Sequence, residues 1–311
     1  MGVSRVENDF DCVIVTGASG FIGQALLRFL VDKGVFVYGI VRHPDDARLF
    51  QSSQVQYLAC AMDAYDTLPA LIAEQGRRPE VFYHLAWDGT AGKARADYVK
   101  QCKNAQVTCD AALAAKAIGC RRFIATGTIT EFVANDLLKC HYASENLMYG
   151  LSKSFSHKLL DIVARQHNLD YIWAQLSNIY GGHNASGNLI SYTLSELQQG
   201  HRPTYGPCEQ PYNFTYIKDV LEALFLLGCV SLHRQSAYFI GNGECRKLKE
   251  YLQSLADLFG AEVGIGERPD DGVRYSADWF DSSALQEEFG FVPQYRFEDG
   301  LKEILEDEHE V

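Results

Sequence analysis

The sequence predicts an α/β fold organised around a doubly wound parallel sheet. Apolar strand-like runs at 13–16, 35–41, 55–61, 81–85, 123–126 and 171–176 alternate with helical patterns through the first half of the chain. The first run turns directly into an apolar helical stretch through Thr16-Gly17-Ala18-Ser19-Gly20-Phe21-Ile22-Gly23, three glycines spaced by three. A chain of 311 residues, 47% hydrophobic and 22% charged, is long enough to bury a large core.

The glycine turn sets the first expectation. Glycine permits the tight strand-to-helix turn and lets backbone come close to a phosphate, while free N–H groups at the helix start supply partial positive charge. Gly17, Ser19, Gly20, Phe21, Ile22 and Gly23 are therefore expected to hold a dinucleotide pyrophosphate, as in a Rossmann-type sheet.

The middle of the chain carries a second constellation. Arg122-Phe123-Ile124-Ala125-Thr126-Gly127-Thr128 reads as a buried strand ending in hydroxyl residues, where an open α/β sheet presents its chemistry. Tyr149-Gly150-Leu151-Ser152-Lys153 then puts a phenol and an ammonium on one face of a helix expected over 149–167. Of the 17 tyrosines, Tyr149 alone has a lysine four residues on. The helix expected over 97–118 is rich in alanine, which suits close helix packing.

With these motifs the chain resembles the extended short-chain dehydrogenases/reductases, the epimerase/dehydratase group that modifies nucleotide-activated sugars, over nearly all its length. The resemblance implies Thr128, Tyr149 and Lys153 as the catalytic set. The phenol exchanges a proton with a sugar oxygen, Lys153 lowers the phenol's pKa and bonds the nicotinamide ribose, and Thr128 holds the reacting oxygen. Asp63 matches the family's adenine-binding acid. Leu85 and Ala86, in His84-Leu85-Ala86, match its loop beneath the cofactor, although Trp87 and Asp88 are not the usual continuation. Arg42 lies at the end of the second strand, where NAD enzymes usually carry an acid, so NADP is expected rather than NAD.

The resemblance also implies a substrate site. Asn178, in Asn178-Ile179-Tyr180-Gly181, and Arg268, in Arg268-Pro269-Asp270-Asp271, match segments that contact the phosphates of a nucleotide-diphosphate sugar. Asn188 and Leu189 are placed to hold sugar or nucleobase, and Asp271 completes the set. The sugar 4,6-dehydratases carry acids directly after the Thr128 hydroxyl, and this chain has Ile129 and Thr130. Glu131 comes one residue too late and, if extended, faces away. The expected function is NADP-dependent reduction of a nucleotide-linked keto-sugar, a 4-keto-6-deoxyhexose, in deoxysugar or polysaccharide biosynthesis. A 4-epimerase with tightly held NAD and a non-catalytic NADP-sensing module are the alternatives. In this family the helices at 97–118 and 149–167 form a homodimer interface.

A Rossmann domain over 1–176, with 214–245 returning to it, and a smaller α/β substrate-binding lobe over 177–213 and 246–311 are expected. The segment 131–146 is a longer connection than usual and a candidate lid or pocket wall. A net charge of −12 without a basic stripe excludes a nucleic-acid surface. No apolar run approaches membrane-spanning length, and the polar start of the chain carries no signal-peptide core, so no membrane partner and a cytoplasmic location are expected. Nine cysteines without a Cys-x-x-Cys pair read as reduced thiols. Cys140-His141 lacks the partners of a coordination shell, and no metal is expected.

Overall fold

The computed structural model describes residues 9–139, 147–182, 188–229, 232–270 and 272–309. In chain order the elements are β1 (Cys12–Thr16), α1 (Phe21–Asp32), β2 (Phe36–Val41), β3 (Val55–Ala59), α2 (Leu68–Ala73), β4 (Val81–His84), α3 (Tyr98–Ile118), β5 (Arg122–Thr128), α4 (Thr130–Lys139), α5 (Leu147–His167), β6 (Tyr171–Leu176), β7 (Asn178–Tyr180), α6 (Leu189–Gln198), β8 (Pro211–Tyr212), β9 (Phe214–Tyr216), α7 (Ile217–Cys229), β10 (Ala237–Ile240), β11 (Arg246–Lys247), α8 (Leu248–Leu258), α9 (Ser283–Phe289) and α10 (Phe297–His309).

Seven strands form the central sheet in the order β10-β6-β5-β4-β1-β2-β3. The β1–β2, β1–β4, β2–β3 and β4–β5 pairings are parallel, with Thr16 between Ile40 and His84. The chain order reverses between β1 and β4, and at such a switch point the loops after both strands open at one sheet edge. Their near-continuous apolar sequences follow from burial on both faces: Val13, Ile14, Val15, Val81 and Phe82 are fully buried.

The first of two compact units comprises the chain up to Gln175 together with Leu221–Tyr238. Helix α3 begins at Asp97, whose carboxylate accepts the N–H groups of Val99 and Lys100, and ends at Gly119 with φ 89°. Buried Ala105, Ala111, Ala112 and Ala115 on α3, with buried Ser152 and Ser156 on α5, keep the cross-section small where these neighbouring helices pack. Gly150 serves the same end, because a Cβ there would collide with the Thr130 carbonyl oxygen at the start of α4.

The second unit comprises Leu176–Val220 and the chain from Phe239 onward. It holds a parallel β7–β9 pair, an antiparallel β8–β11 pair and helices α6, α8, α9 and α10. Its core is aromatic. Phe214 and Phe297 stack at 5.4 Å, Tyr251 meets Phe297 edge-on at 4.8 Å, and the Tyr180 hydroxyl donates to the Phe297 carbonyl at 2.9 Å. The returning segment is shorter than the 214–245 expected from sequence. Pairing of β9 with β7 keeps residues 214–216 in the second unit.

Candidate active site

The glycine turn after β1 is closed by the Gly20 N–H donating to the Gly17 carbonyl at 3.0 Å. Gly17 has φ 69°, and a Cβ on it would lie 2.7 Å from the Ala86 nitrogen, so glycine is required where the turn presses on the Leu85–Ala86 backbone. A Cβ on Gly23 would collide with the Gly17 carbonyl oxygen. No side chain caps α1, and its first turn carries no acid. Its leading N–H groups are therefore left without a side-chain cap next to exposed Ser19 and Gly20, a cradle suited to an anionic group such as a cofactor pyrophosphate.

A chain of hydrogen bonds fixes the loop after β4. His84 is buried between Thr16, 2.9 Å from Nδ1, and Thr108, 3.3 Å from Nε2. The Thr108 hydroxyl donates to the Asn104 carbonyl, so it accepts from Nε2–H, and Nδ1 accepts from Thr16. Burial pushes the imidazole pKa down to about 3, which keeps the ring neutral. Beyond Leu85 and Ala86, the Trp87 indole N–H donates to Gln101 Oε1 at 2.9 Å, while Gln101 Nε2 donates to the carbonyls of Gly89 at 2.8 Å and Ala94 at 3.1 Å. Asn104 holds Asp88 by two more bonds.

Thr128 stands at the end of β5, its hydroxyl 3.1 Å from that of Thr130, and Tyr149 and Lys153 lie on α5. Lys153 is buried. Its ammonium donates to the Thr126 carbonyl at 2.7 Å and sits 3.7 Å above the centre of the Trp87 ring. Burial pushes the Lys153 pKa down. The half-buried Tyr149 ring meets Trp87 edge-on at 6.1 Å, and the Arg95 guanidinium lies 4.4 Å over its face. Burial raises the phenol pKa to about 12, Arg95 pulls it down, and Glu131 pushes it up.

Glu131 does not face away, as an extended chain would have it. The segment from Thr130 to Lys139 is helical, and the buried Glu131 carboxylate turns back to accept the Thr128 N–H at 2.7 Å and the Trp173 indole N–H at 3.1 Å. The Thr130 N–H donates to Thr128 Oγ1 at 3.3 Å, completing a reciprocal cap. Gly127 makes room for it, since a Cβ there would lie 2.6 Å from Glu131 Oε1. The segment 131–146, expected as a lid or pocket wall, is helical as far as Lys139, and residues 140–146 lie outside the described residues.

At the far end of the cradle, Arg42 is exposed just past β2. The Asp63 carboxylate is exposed and pairs with Lys103 of α3 at 3.0 Å, a contact sequence spacing does not reveal. In the second unit, Asn178 accepts from the Tyr212 hydroxyl at 2.9 Å and donates to the Asn213 carbonyl at 3.1 Å. Asn188 is the N-cap of α6, accepting the Ser191 N–H at 2.9 Å and donating to the Ile179 carbonyl at 3.3 Å, so its amide is used in building the fold. Leu189, half-buried, opens the same helix. Arg268 is exposed; among the described residues its guanidinium meets hydroxyls, those of Thr204 at 2.9 Å and Tyr192 at 3.4 Å. Asp271 lies outside the described residues.

Two side chains at the Tyr149 ring and its surroundings, Arg95 and Gln101, are not singled out by sequence, and Glu131 is one that the extended reading turned away from Thr128. Glu131 had a legible signal, because Thr128-Ile129-Thr130-Glu131 is a capping-box pattern. Arg95 and Gln101 reach the site through a loop and a helix face whose placement depends on the tertiary fold.

A sequence model of the NAD dependent epimerase/dehydratase family matches residues 13–235. The chain is 25% identical to a dTDP-glucose 4,6-dehydratase of Haemophilus influenzae, over 94% of this chain and 96% of that protein. It is 22% identical to a dTDP-4-dehydro-6-deoxyglucose reductase of Escherichia coli, over 94% and 96%. Among solved structures, the UDP-glucose 4-epimerase of Thermotoga maritima with UDP-glucose superposes with a TM-score of 0.79 at 19% identity, covering 96% of this chain and 99% of that one. The fold, the glycine turn against the Leu85–Ala86 backbone and the extent of the family match agree: the chain belongs to the NAD dependent epimerase/dehydratase family and is an enzyme of the short-chain dehydrogenase/reductase type.

Proposed function

We propose that the protein reduces a nucleotide-linked keto-sugar, a 4-keto-6-deoxyhexose, with NADPH. The observation that carries this reading is the Thr128, Tyr149 and Lys153 set, combined with two non-acidic residues directly after Thr128. Ile129 and Thr130 stand where elimination of water needs acid and base, and the Glu131 oxygen is held by Thr128 and Trp173. The 22% relative named as a dTDP-4-dehydro-6-deoxyglucose reductase supports the same reaction class.

The α1 cradle, Leu85–Ala86 and Asp63 would hold the dinucleotide, with Arg42 at its 2′-phosphate. When bound, the nicotinamide supplies the hydride. Reduction adds that hydride to the carbonyl carbon and a proton to its oxygen. Tyr149 delivers the proton while Thr128 holds the oxygen, and Lys153 exchanges the Thr126 carbonyl for the ribose hydroxyls. In the second unit Arg268 offers a guanidinium to the diphosphate, offsetting locally the net charge of −12. Asn178, Leu189 and Asp271 remain candidates for the same ligand, and Asn188 contributes through the cap it forms.

We also propose a homodimer through α3 and α5. These helices carry Tyr98, Val99, Phe155 and Ile162, exposed by 65%, 60%, 54% and 54%, an unusual density of large apolar side chains in water. Sedimentation of a Phe155→Glu/Ile162→Glu variant as a monomer, against a dimeric parent, is the expected result; a monomeric parent refutes the dimer.

The reaction is tested with excess NADPH and a panel of CDP-, dTDP-, GDP- and UDP-linked 4-keto-6-deoxy sugars. A reductase consumes NADPH stoichiometrically with at least one of them. Interconversion of 4-hydroxy sugars with catalytic NAD and no net absorbance change would instead identify a 4-epimerase.

A further inference from the structure

We propose that His233 is a proton-operated latch on the segment that joins α7 to β10: as an imidazolium it fastens the segment to the sheet, and release of one proton lets it loosen. The latch is anchored at Arg122, at the opposite end of β5 from Thr128, and no step of the reaction proposed above bears on it.

Both ring nitrogens of His233 face acceptors. Nε2 is 2.5 Å from Asp170 Oδ1, and Nδ1 is 2.5 Å from the Gln235 carbonyl oxygen. A neutral imidazole has one N–H and serves one of them, whereas the imidazolium has two and serves both. Neither partner has a proton to lend in return: one is a backbone carbonyl, and the other is a carboxyl that, against the cost of its partial burial, His233 and Arg122 hold below its usual pKa range. The bond to Asp170 correspondingly raises the imidazole pKa above its ordinary 6.5.

Asp170 is itself held by Arg122, whose fully buried side chain donates to Asp170 Oδ2 from Nε at 3.0 Å and from a terminal nitrogen at 2.9 Å. A further guanidinium N–H reaches the Leu227 carbonyl, in the last turn of α7, at 2.8 Å. The Arg122–Asp170 pair therefore grips the connection at both ends, Leu227 directly and Gln235 through His233. Beyond Gln235, the Ser236 carbonyl accepts the Trp173 N–H of β6 at 2.7 Å, and β10 is the last strand in the sheet order, so the segment enters the sheet at an edge.

Among the described residues, β5 brings Arg122 to the ring, which opposes its charging, and beside it Arg121, which donates to Asp9 and to the Gly228 carbonyl. Helix α3 brings Lys116, bonded to the Asn168 carbonyl in the turn before Asp170, and α7 brings Cys229, whose thiol burial keeps protonated. The segment itself carries exposed Arg234, and β10 sets the Tyr238 ring 6.4 Å from the imidazole. With a folded pKa above the unfolded one, the latch stabilises fully below pH 6.5 and loses that contribution as pH rises through the folded value. It opens on the alkaline side.

The test uses the full chain. Side-chain NMR of histidine-labelled protein follows the His233 ring signal against pH, assigned by its loss in His233→Gln. Hydrogen exchange read by mass spectrometry, corrected for intrinsic rates, follows the protection of residues 232–238 on either side of the midpoint. The imidazole is expected to titrate at least about half a unit above its ordinary value, the direction set by a close carboxylate. Protection over 232–238 is expected to fall several-fold above that midpoint in the parent and to stay level with pH in His233→Gln, which keeps a donor toward Asp170 but no titrating group. A midpoint at or below 6.5 overturns the proposal. So does protection that is unchanged across the midpoint, or that falls equally in His233→Gln.

Discussion

The Glu131 carboxylate accepts the backbone N–H of Thr128 at 2.7 Å, while Thr128 Oγ1 accepts the N–H of Thr130. The hydroxyl proposed to hold the reacting oxygen is therefore also the cap that starts α4. A buried carboxylate bears both on that cap and on the Trp173 indole, and burial raises its pKa.

Removing this carboxylate should cost stability and catalysis together. Glu131→Ala strands the Thr128 N–H and the Trp173 indole N–H, and an expected loss of about 1–3 kcal/mol is read from urea unfolding. Glu131→Gln keeps an acceptor oxygen and should lose less. If Ala and Gln unfold at the parental midpoint, the reciprocal cap contributes nothing measurable.

The α/β order and the glycine turn were legible because both are local: period-two and period-3.6 patterns mark strands and helices, and a glycine turn between them has few alternatives. The Glu131 orientation was misread because an extended strand was continued past Thr128, where the capping-box spacing signals a helix start. Asn188, expected to hold sugar or nucleobase, also has a role in the fold that its sequence context does not reveal. Its Oδ1 accepts the Ser191 N–H as the N-cap of α6, a contact visible only once the helix start is placed. Arg95 over Tyr149 was not readable at all, since 54 positions separate them and the contact depends on Gln101 fixing a loop against α3.

Arg42 gives a direct test of cofactor choice. If it meets a 2′-phosphate, Arg42→Ala should weaken NADPH binding by about 1.5–3 kcal/mol, typical of a hydrogen bond to a charged group, and leave NADH nearly unchanged. Isothermal titration with both nucleotides measures the difference. Equal weakening would place the guanidinium on the adenine, and no weakening would place it in solvent.

His84 predicts a pH dependence of stability. Its folded pKa, about 3, lies below the unfolded value of 6.5, so the unfolded chain binds the extra proton between these limits. The stabilisation is complete above pH 6.5 and is lost as pH falls toward 3, at up to about 1.4 kcal/mol per pH unit. His157, stacked on Trp173 at 4.8 Å with its pKa lowered to about 4, adds to the same slope. His84→Gln should be less stable at pH 7 yet show a shallower decline between pH 6 and 4 in urea midpoints. A slope identical to the parent would mean that His84 is not kept neutral by its burial.

Tyr149 carries the sharpest prediction, because burial and its surroundings make opposite demands on it. With the pKa raised to about 12, the phenol is protonated at neutral pH, the form required to donate to a carbonyl oxygen during reduction. Reduction should accordingly hold its rate through neutrality and decline at alkaline pH, whereas the reverse oxidation, which needs the phenolate, should rise with pH. Tyr149→Phe removes the transferable proton but keeps the ring that Arg95 and Trp87 cover, so NADPH binding should be retained while turnover falls by roughly 10² to 10⁴. Measuring both on one preparation separates chemistry from folding. A variant that binds NADPH and turns over near the parental rate would remove the phenol from proton transfer, and Thr128 would then be the remaining hydroxyl at the end of β5 to test.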